Sequence, residues 1–352
     1  MGELDAGGYR IARVVARRPG LDALAEADAP DGTRVTLRLL ERPLEGKARR
    51  SAVARLARVR ASIVHPHVLP LLDDGKDRRR LVLDALPAGT VTLADRLRDG
   101  PLSAQEAVTL ASQVAGALEV ALRRGLAHRD LSPATVLVAG DDPPRALLGD
   151  FGIAVPDERG CRVRATIEEA AYRAPEELAG AAPTAASAVY SLACLLVACL
   201  TGAPPFPYDR PLLVMHAHLA EPPPRVSERD EALPAELDRV LARALAKEPQ
   251  RRHASPAELM RAVQRALGIA APIPLRGTPA REAAPAPEPA PAAPRPEPSR
   301  PAAPAPRPAP AAGEHAGDRR RPAAKRPRPA RRRRPARRTG WATVRRLAPG
   351  WG

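Results

Sequence analysis

What most limits the fold available to this chain is the place where its folding material ends. From about residue 285 the text runs "PAPEPAPAAPRPEPSRPAAPAPRPAPA", and residues 319–338 then pack twelve Lys and Arg into twenty positions. Alternating proline and alanine cannot bury a core, so this region is expected to be extended, polyproline-like and disordered. A folded domain must therefore come from roughly the first 270 of 352 residues. Charge divides at the same place. Residues 273–352 hold 19 basic and 5 acidic side chains, a net of +14 out of the total of +16. The remaining 37 basic and 35 acidic residues leave the first 272 positions at only +2, so the basicity belongs to the tail.

Three cysteines, Cys161, Cys194 and Cys199, are too few for a disulfide framework in a chain of this length. Cys194 and Cys199 lie in an apolar run and read as small core residues, whereas Cys161 falls in a polar loop as an incidental thiol. No charged segment precedes an apolar one at the N-terminus, so no secretory leader is expected. The longest apolar stretch, "AVYSLACLLVACL" (188–200), is too short to span a bilayer and predicts a buried helix. A cytoplasmic location is the expectation. Arg outnumbers Lys 52 to 4 and Asn is absent, a bias that points to the genome of origin and not to chemistry.

Residues 9–40 alternate apolar with polar, and "PDGT" (30–33) marks a turn between "YRIARVVA" and "RVTLRLL", the pattern of a small antiparallel sheet. A helical segment is expected at about 46–62. "HPHVLPLLDDG" and "RRLVLDAL" then read as two more strands. From "SAQEAVTLASQVAGALEVALRRG" to about 267 the periodicity is helical, with Ser103 and Glu106 spaced as a capping box. A β-rich lobe thus precedes an α-rich one, an α+β architecture.

Five motifs follow one another in the α-rich part: "HRDLSPAT" (128–135), "GDFGIA" (149–154), "YRAPEEL" (172–178), "YSLACLLVACLTGAPPF" (190–206) and "KEPQRRHASPAEL" (247–259). In this order, behind a β-rich lobe, they resemble the protein-kinase fold, and most closely the bacterial eukaryotic-like (Hanks-type) serine/threonine kinases. The resemblance covers residues 9–268, with an N-lobe over about 9–86 and a C-lobe over about 87–268. It leaves 269–318 as a Pro/Ala-rich linker and 319–352 as an Arg-rich tail.

The resemblance implies chemistry made almost wholly of positioning and charge neutralisation, with ATP and Mg2+ as cofactors. Its parts are unevenly kept. Ala16, Arg18 and Leu21 stand where the phosphate-binding loop would carry glycines, and Gly20 is one place out of step. Arg17 and Arg18 retain only their charge for a phosphate. Arg38 occupies the place of the nucleotide-orienting lysine, with a larger planar fork. Leu56 occupies the place of that lysine's glutamate partner, and residues 46–64 contain no acidic side chain, so a shift of one residue in the alignment supplies none. His128, Arg129 and Asp130 are kept, and Asp130 is the base the family would use. Ser132 replaces the lysine that steadies the transferring phosphate. Thr135 replaces the metal-binding Asn and is expected to be at best a weak ligand. Asp150 of "DFG" remains as the strong metal and cofactor ligand. Glu168 and Glu169 replace a Gly-Thr pair, Thr166 is the one hydroxyl between Asp150 and Tyr172 that could take an activating phosphate, and Ala188 and Ala193 replace an Asp and a Gly. Glu176 and Arg252 match the family's buried ion pair.

The stability parts are kept and the nucleotide-facing parts are eroded. The expected function is therefore a pseudokinase acting as a binding scaffold in signalling, with weak or absent ATP and Mg2+ binding and with signalling proteins or other kinases as partners. Two alternatives stand beside it. One is a residually active serine/threonine kinase using Asp130 and Asp150. The other is electrostatic contact of 319–338 with nucleic acid or an anionic membrane face. Only Trp341 and Trp351 lie near that segment, so stacking on single strands is not expected.

Overall fold

The computed structural model describes residues 8–18, 22–40, 63–73, 80–140, 143–149 and 166–270. All of these lie in one compact unit, Met1–Ala286. The expected helix at 46–62, with Leu56, lies outside the described residues, as do Asp150, Cys161 and everything beyond 270.

The N-terminal lobe is an antiparallel sheet of β1 (Arg10–Arg18), β2 (Asp22–Asp28), β3 (Arg34–Leu40), β4 (Leu71–Asp73) and β5 (Arg80–Leu83), in the order β1-β2-β3-β5-β4. The turn predicted at "PDGT" closes β2 onto β3: Asp31 Oδ1 accepts from the Thr33 amide at 2.9 Å, and Gly32 takes φ +83°, where a side chain would be strained. Alternation places Ala27, Val35, Leu37 and Val82 on one face. Leu24, Leu81 and Leu83 occupy the other, where they pack against Leu137 and Leu147 of a second sheet. β3 is therefore covered on both sides, with Val35, Thr36, Leu37 and Arg38 all buried. At the β1 end of the sheet the strands are also joined by charge, as Arg10 meets Asp28 at 3.2 Å and Arg13 meets Glu26 at 2.6 Å.

The second sheet is the main departure from the expectation of continuous helix after residue 103. β6 (Val91–Thr92), β7 (Val136–Ala139) and β8 (Arg145–Leu148) pair antiparallel inside the α-rich lobe. Short apolar runs such as VLVA in β7 and ALL in β8 do not differ from pieces of buried helix by periodicity alone, which is why these strands escape a reading of pattern. The sheet is also tied to the first lobe. Leu148 N–H donates to His67 C=O at 2.8 Å, and Leu69 N–H donates to Leu148 C=O at 3.0 Å.

Helices make up the rest. They are α1 (Leu93–Arg96), α2 (Ala104–Arg123), α3 (Ile167–Ala171), α4 (Pro175–Leu178), α5 (Ala185–Thr201), α6 (Pro211–Ala220), α7 (Ala235–Ala244) and α8 (Pro256–Leu267). Every residue from Val189 to Leu200 is buried, so α5 is apolar on all sides and forms the axis of the lobe. α2 packs on α5 and α8 around it. Cys194 and Cys199 are inside this axis, and burial pushes the Cys199 thiol up to about 12. Only half of the capping box predicted at Ser103 forms. The Ser103 hydroxyl accepts from Glu106 N–H at 3.2 Å, but the Glu106 carboxylate turns to Arg96, also at 3.2 Å. A full box stands at Thr184 and Ser187, where each side chain serves the other's backbone at the start of α5.

Candidate active site

The loop between α2 and β7 carries His128 to Thr135. It begins where Gly125 (φ +68°) ends the helix and Leu126 N–H returns to Ala121 C=O at 2.9 Å. His128 is buried, and its Nε2 lies 2.7 Å from the carbonyl oxygen of Gly149, the residue before Asp150. The loop and the end of β8 are thereby joined. Arg129 has φ +71°, the single non-glycine residue with positive φ among the described residues. Such a conformation persists only where the surroundings hold it.

Asp130 is half-buried, and its backbone is held from below by Thr135. The Thr135 hydroxyl lies 2.7 Å from Asp130 C=O and 3.0 Å from Ser132 C=O, and it accepts from Ser132 N–H at 3.0 Å. With one proton to give, it donates to one carbonyl at a time. Thr135 N–H adds a bond to Ser132 C=O at 3.1 Å. Thr135 is 2% exposed and Ser132 4%. Both side chains therefore lie within the loop's own packing. Asp130, Ser132 and Thr135 are thus brought together on one turn.

Arg38 stands on the other lobe. In the β ladder it is opposite Leu24 and Leu81, on the face that packs toward β7 and β8, and it is 5% exposed. The position expected for a nucleotide-orienting cation is thus filled by a buried arginine whose neighbours in the ladder are leucines. Ala16, in place of a loop glycine, is paired with Leu24, and the β1–β2 ladder continues to Arg18 and Asp22. No group of three or more His, Cys, Asp or Glu able to hold a metal occurs among the described residues, which do not include Asp150.

The segment entering α3 and α4 completes the site. Thr166, Ile167 and Glu168 are exposed, and Thr166 C=O accepts from Ala170 N–H at 3.1 Å at the start of α3. Glu176 meets Arg252 in a bidentate pair at 2.7 and 2.8 Å. Arg252 also donates to three carbonyls, those of Ala186, Ala246 and Lys247, and it lies over the Tyr190 ring at 4.8 Å. Glu177 is buried, and that burial raises its carboxyl above the usual range. Pattern reasoning missed one feature. A cavity of about 30 Å³ lies beneath the loop, bounded by Arg129, Asp130, Glu177, Ala188 and Ser191 among others. Its signal in the sequence was the Ala at 188, whose consequence is a volume and so does not appear in a string of letters.

Comparison with known proteins agrees with this geometry. A family model for the protein kinase domain matches residues 27–263. The serine/threonine-protein kinase PknE of Mycobacterium tuberculosis (strain H37Rv) is 36% identical over 250 residues, covering 70% of this chain and 44% of the relative. PknH of Mycobacterium bovis is 36% identical over 206 residues, covering 58% and 34%. PknD of Mycobacterium tuberculosis (strain CDC 1551) is 32% identical over 252 residues, covering 70% and 38%. The chain thus spans less than half the length of these relatives. Among solved structures, that of Rad53 1–466 in complex with AMP-PNP superposes with a TM-score of 0.59 at 19% identity, covering 74% of this chain and 65% of the other. At that identity the likeness concerns the fold.

Proposed function

The chain belongs to the protein kinase domain family, and from that premise we propose that it is a catalytically deficient serine/threonine kinase domain that acts by binding, as a scaffold in signalling. One observation carries this reading. The Thr135 hydroxyl spends its proton and an acceptor site on the loop backbone, so it has at most one lone pair left for a cation. Magnesium demands a nearly ideal octahedron of oxygens, and a buried hydroxyl already fixed in direction fits that demand poorly. Arg38 and Ser132 support the same reading. The Arg38 guanidinium is bulkier than an ammonium and its residue is buried, and the short buried Ser132 side chain has no charge to offer a phosphate. Thr135, Ser132 and Arg38 therefore fit a magnesium triphosphate poorly, while the other ligand expected of the family, Asp150, lies outside the described residues.

Removing a single electrostatic stabiliser typically lowers a rate by about 10² to 10³, and losses within one site do not simply add. Incubation of the full chain with labelled ATP and magnesium is expected to give no label on itself or on a generic basic protein. Label that disappears in Asp130→Asn would overturn the proposal.

A second reading has its own support. Asp130 is retained on a loop that His128 ties to Gly149, and the relatives compared are named as serine/threonine kinases. Under it Asp130 accepts the substrate hydroxyl's proton and Asp150 holds the metal, and the labelling experiment decides between the two. A third reading concerns the tail. We also propose that 319–338 contacts anionic polymers or an anionic membrane surface, on the strength of twelve cations in twenty residues. Affinity for duplex DNA should then fall with a log–log salt slope of about −5 if about half of those cations engage phosphates. A salt-independent affinity, or one that survives deletion of 319–338, contradicts it.

A further inference from the structure

We infer that leucines from both lobes seal the two sheets against each other, so that the face of β3 a nucleotide's base would use is already filled by the chain itself. The resemblance to kinases gives Arg38 the place of the nucleotide-orienting residue, and a nucleotide oriented from there would lie against the Arg38 face of β3. In the antiparallel ladder Leu24 and Leu81 stand opposite Arg38, and Leu83 stands opposite Thr36. Residues opposite one another share a face, so all three leucines project from that side of the sheet. Leu137 and Leu147, opposite each other in the β7–β8 ladder, join them from the second sheet in one apolar cluster. Leu86, in the segment between β5 and β6 that connects the lobes, belongs to the same cluster.

Burial decides what this cluster does. A site waiting for a planar ring keeps the apolar side chains that would cover the ring in contact with water. Each of these six leucines is at most 8% exposed. They already cover one another, and a protein interior is packed too closely to admit a ring without parting its side chains. Val15 and Ala16 of β1 pack against the cluster as well, so the alanine that stands in place of a loop glycine thickens the seal. A polar bond joins the lobes alongside it. Arg13 of β1 donates to Thr90 C=O, just ahead of β6, at 3.1 Å, and the Glu26 carboxylate accepts from the same nitrogen at 2.6 Å. The inference goes beyond the proposed function, which concerns the grip on metal and phosphates, whereas the seal concerns the room for a base.

Adenosine tests that room alone, because it carries the base and the sugar but no phosphate. Melts of the full chain with adenosine up to millimolar are expected to show no shift. An upward shift that grows with adenosine overturns the seal, since only a ligand that binds the folded state produces it. That outcome would leave the proposed function standing if magnesium and ATP still gave no phosphate transfer. Leu24→Ala and Leu137→Ala, one from each lobe, test the packing. Truncating a leucine within a packed core should lower the melting temperature by at least about 4 °C in a domain of this size. Truncating one that lines an open site should lower it by about 2 °C or less. A loss below about 4 °C in either variant overturns the seal, and the adenosine result stands whether or not a variant folds.

Discussion

Thr135 touches Asp130 C=O, Ser132 C=O and Ser132 N–H with a single hydroxyl. Thr135→Val keeps the shape and strands these groups, at a cost of about 1–3 kcal/mol. Thr135→Ser should restore most of the loss. Equal melting of Val and wild type would show that the staple carries no weight. The sequence identifies residue 135 as a Thr where the family has an Asn, but it cannot say where the hydroxyl points. Only the folded loop shows it turned onto its own backbone. His218 is a second residue-scale case. It is fully buried, Tyr190 Oη lies 2.8 Å from its Nδ1, and burial together with the nearby Lys247 ammonium lowers its pKa to about 4. The unfolded chain binds this proton below about 6.5 and the folded chain does not, so stability falls as pH drops from about 6.5 to 4 and levels off below that. The loss reaches up to about 3 kcal/mol. His218→Gln should flatten that part of a stability-against-pH curve measured by urea melts. An unaltered slope would place the titration elsewhere.

At the scale of elements, α4 and the turn before α8 are joined by Glu176 and Arg252, whose side chain is fully buried. Glu176→Ala leaves that guanidinium uncompensated and should cost about 3–5 kcal/mol. Asp28→Ala breaks only exposed pairs with Arg10 and Arg34 and should cost about 1 kcal/mol or less. Similar costs for the two would mean that burial does not set the pair's value. Glu176 and Arg252 were legible because the resemblance to the kinase fold implies their pairing, and α5 was legible because twelve successive buried positions leave an apolar run in the text. β7 and β8 were not, since three or four apolar letters suit either strand or helix. The box at Ser103 was read from its spacing, but Glu106 had a competing partner in Arg96 that only tertiary structure supplies.

Over the whole molecule, a domain family shared with kinases rests on parts that hold the lobes together, while the parts that would face nucleotide differ in kind. The α+β two-lobed architecture and its order of motifs could be read from the sequence, because apolar periodicity and turn chemistry are local. The burial of Arg38 between Leu24 and Leu81 could not, because it depends on residues far apart in the chain, and the direction of the Thr135 hydroxyl could not, because only the folded loop sets it. The most direct test of the central claim is the melting temperature of the full chain with and without magnesium and ATP. A ligand that binds only the folded state stabilises it by RT ln(1 + [L]/Kd), so binding with a Kd below micromolar ATP would be visible as a clear upward shift. The account predicts no magnesium-dependent shift in that range. A shift of several degrees at micromolar ATP that requires magnesium and vanishes in Asp150→Ala would contradict it.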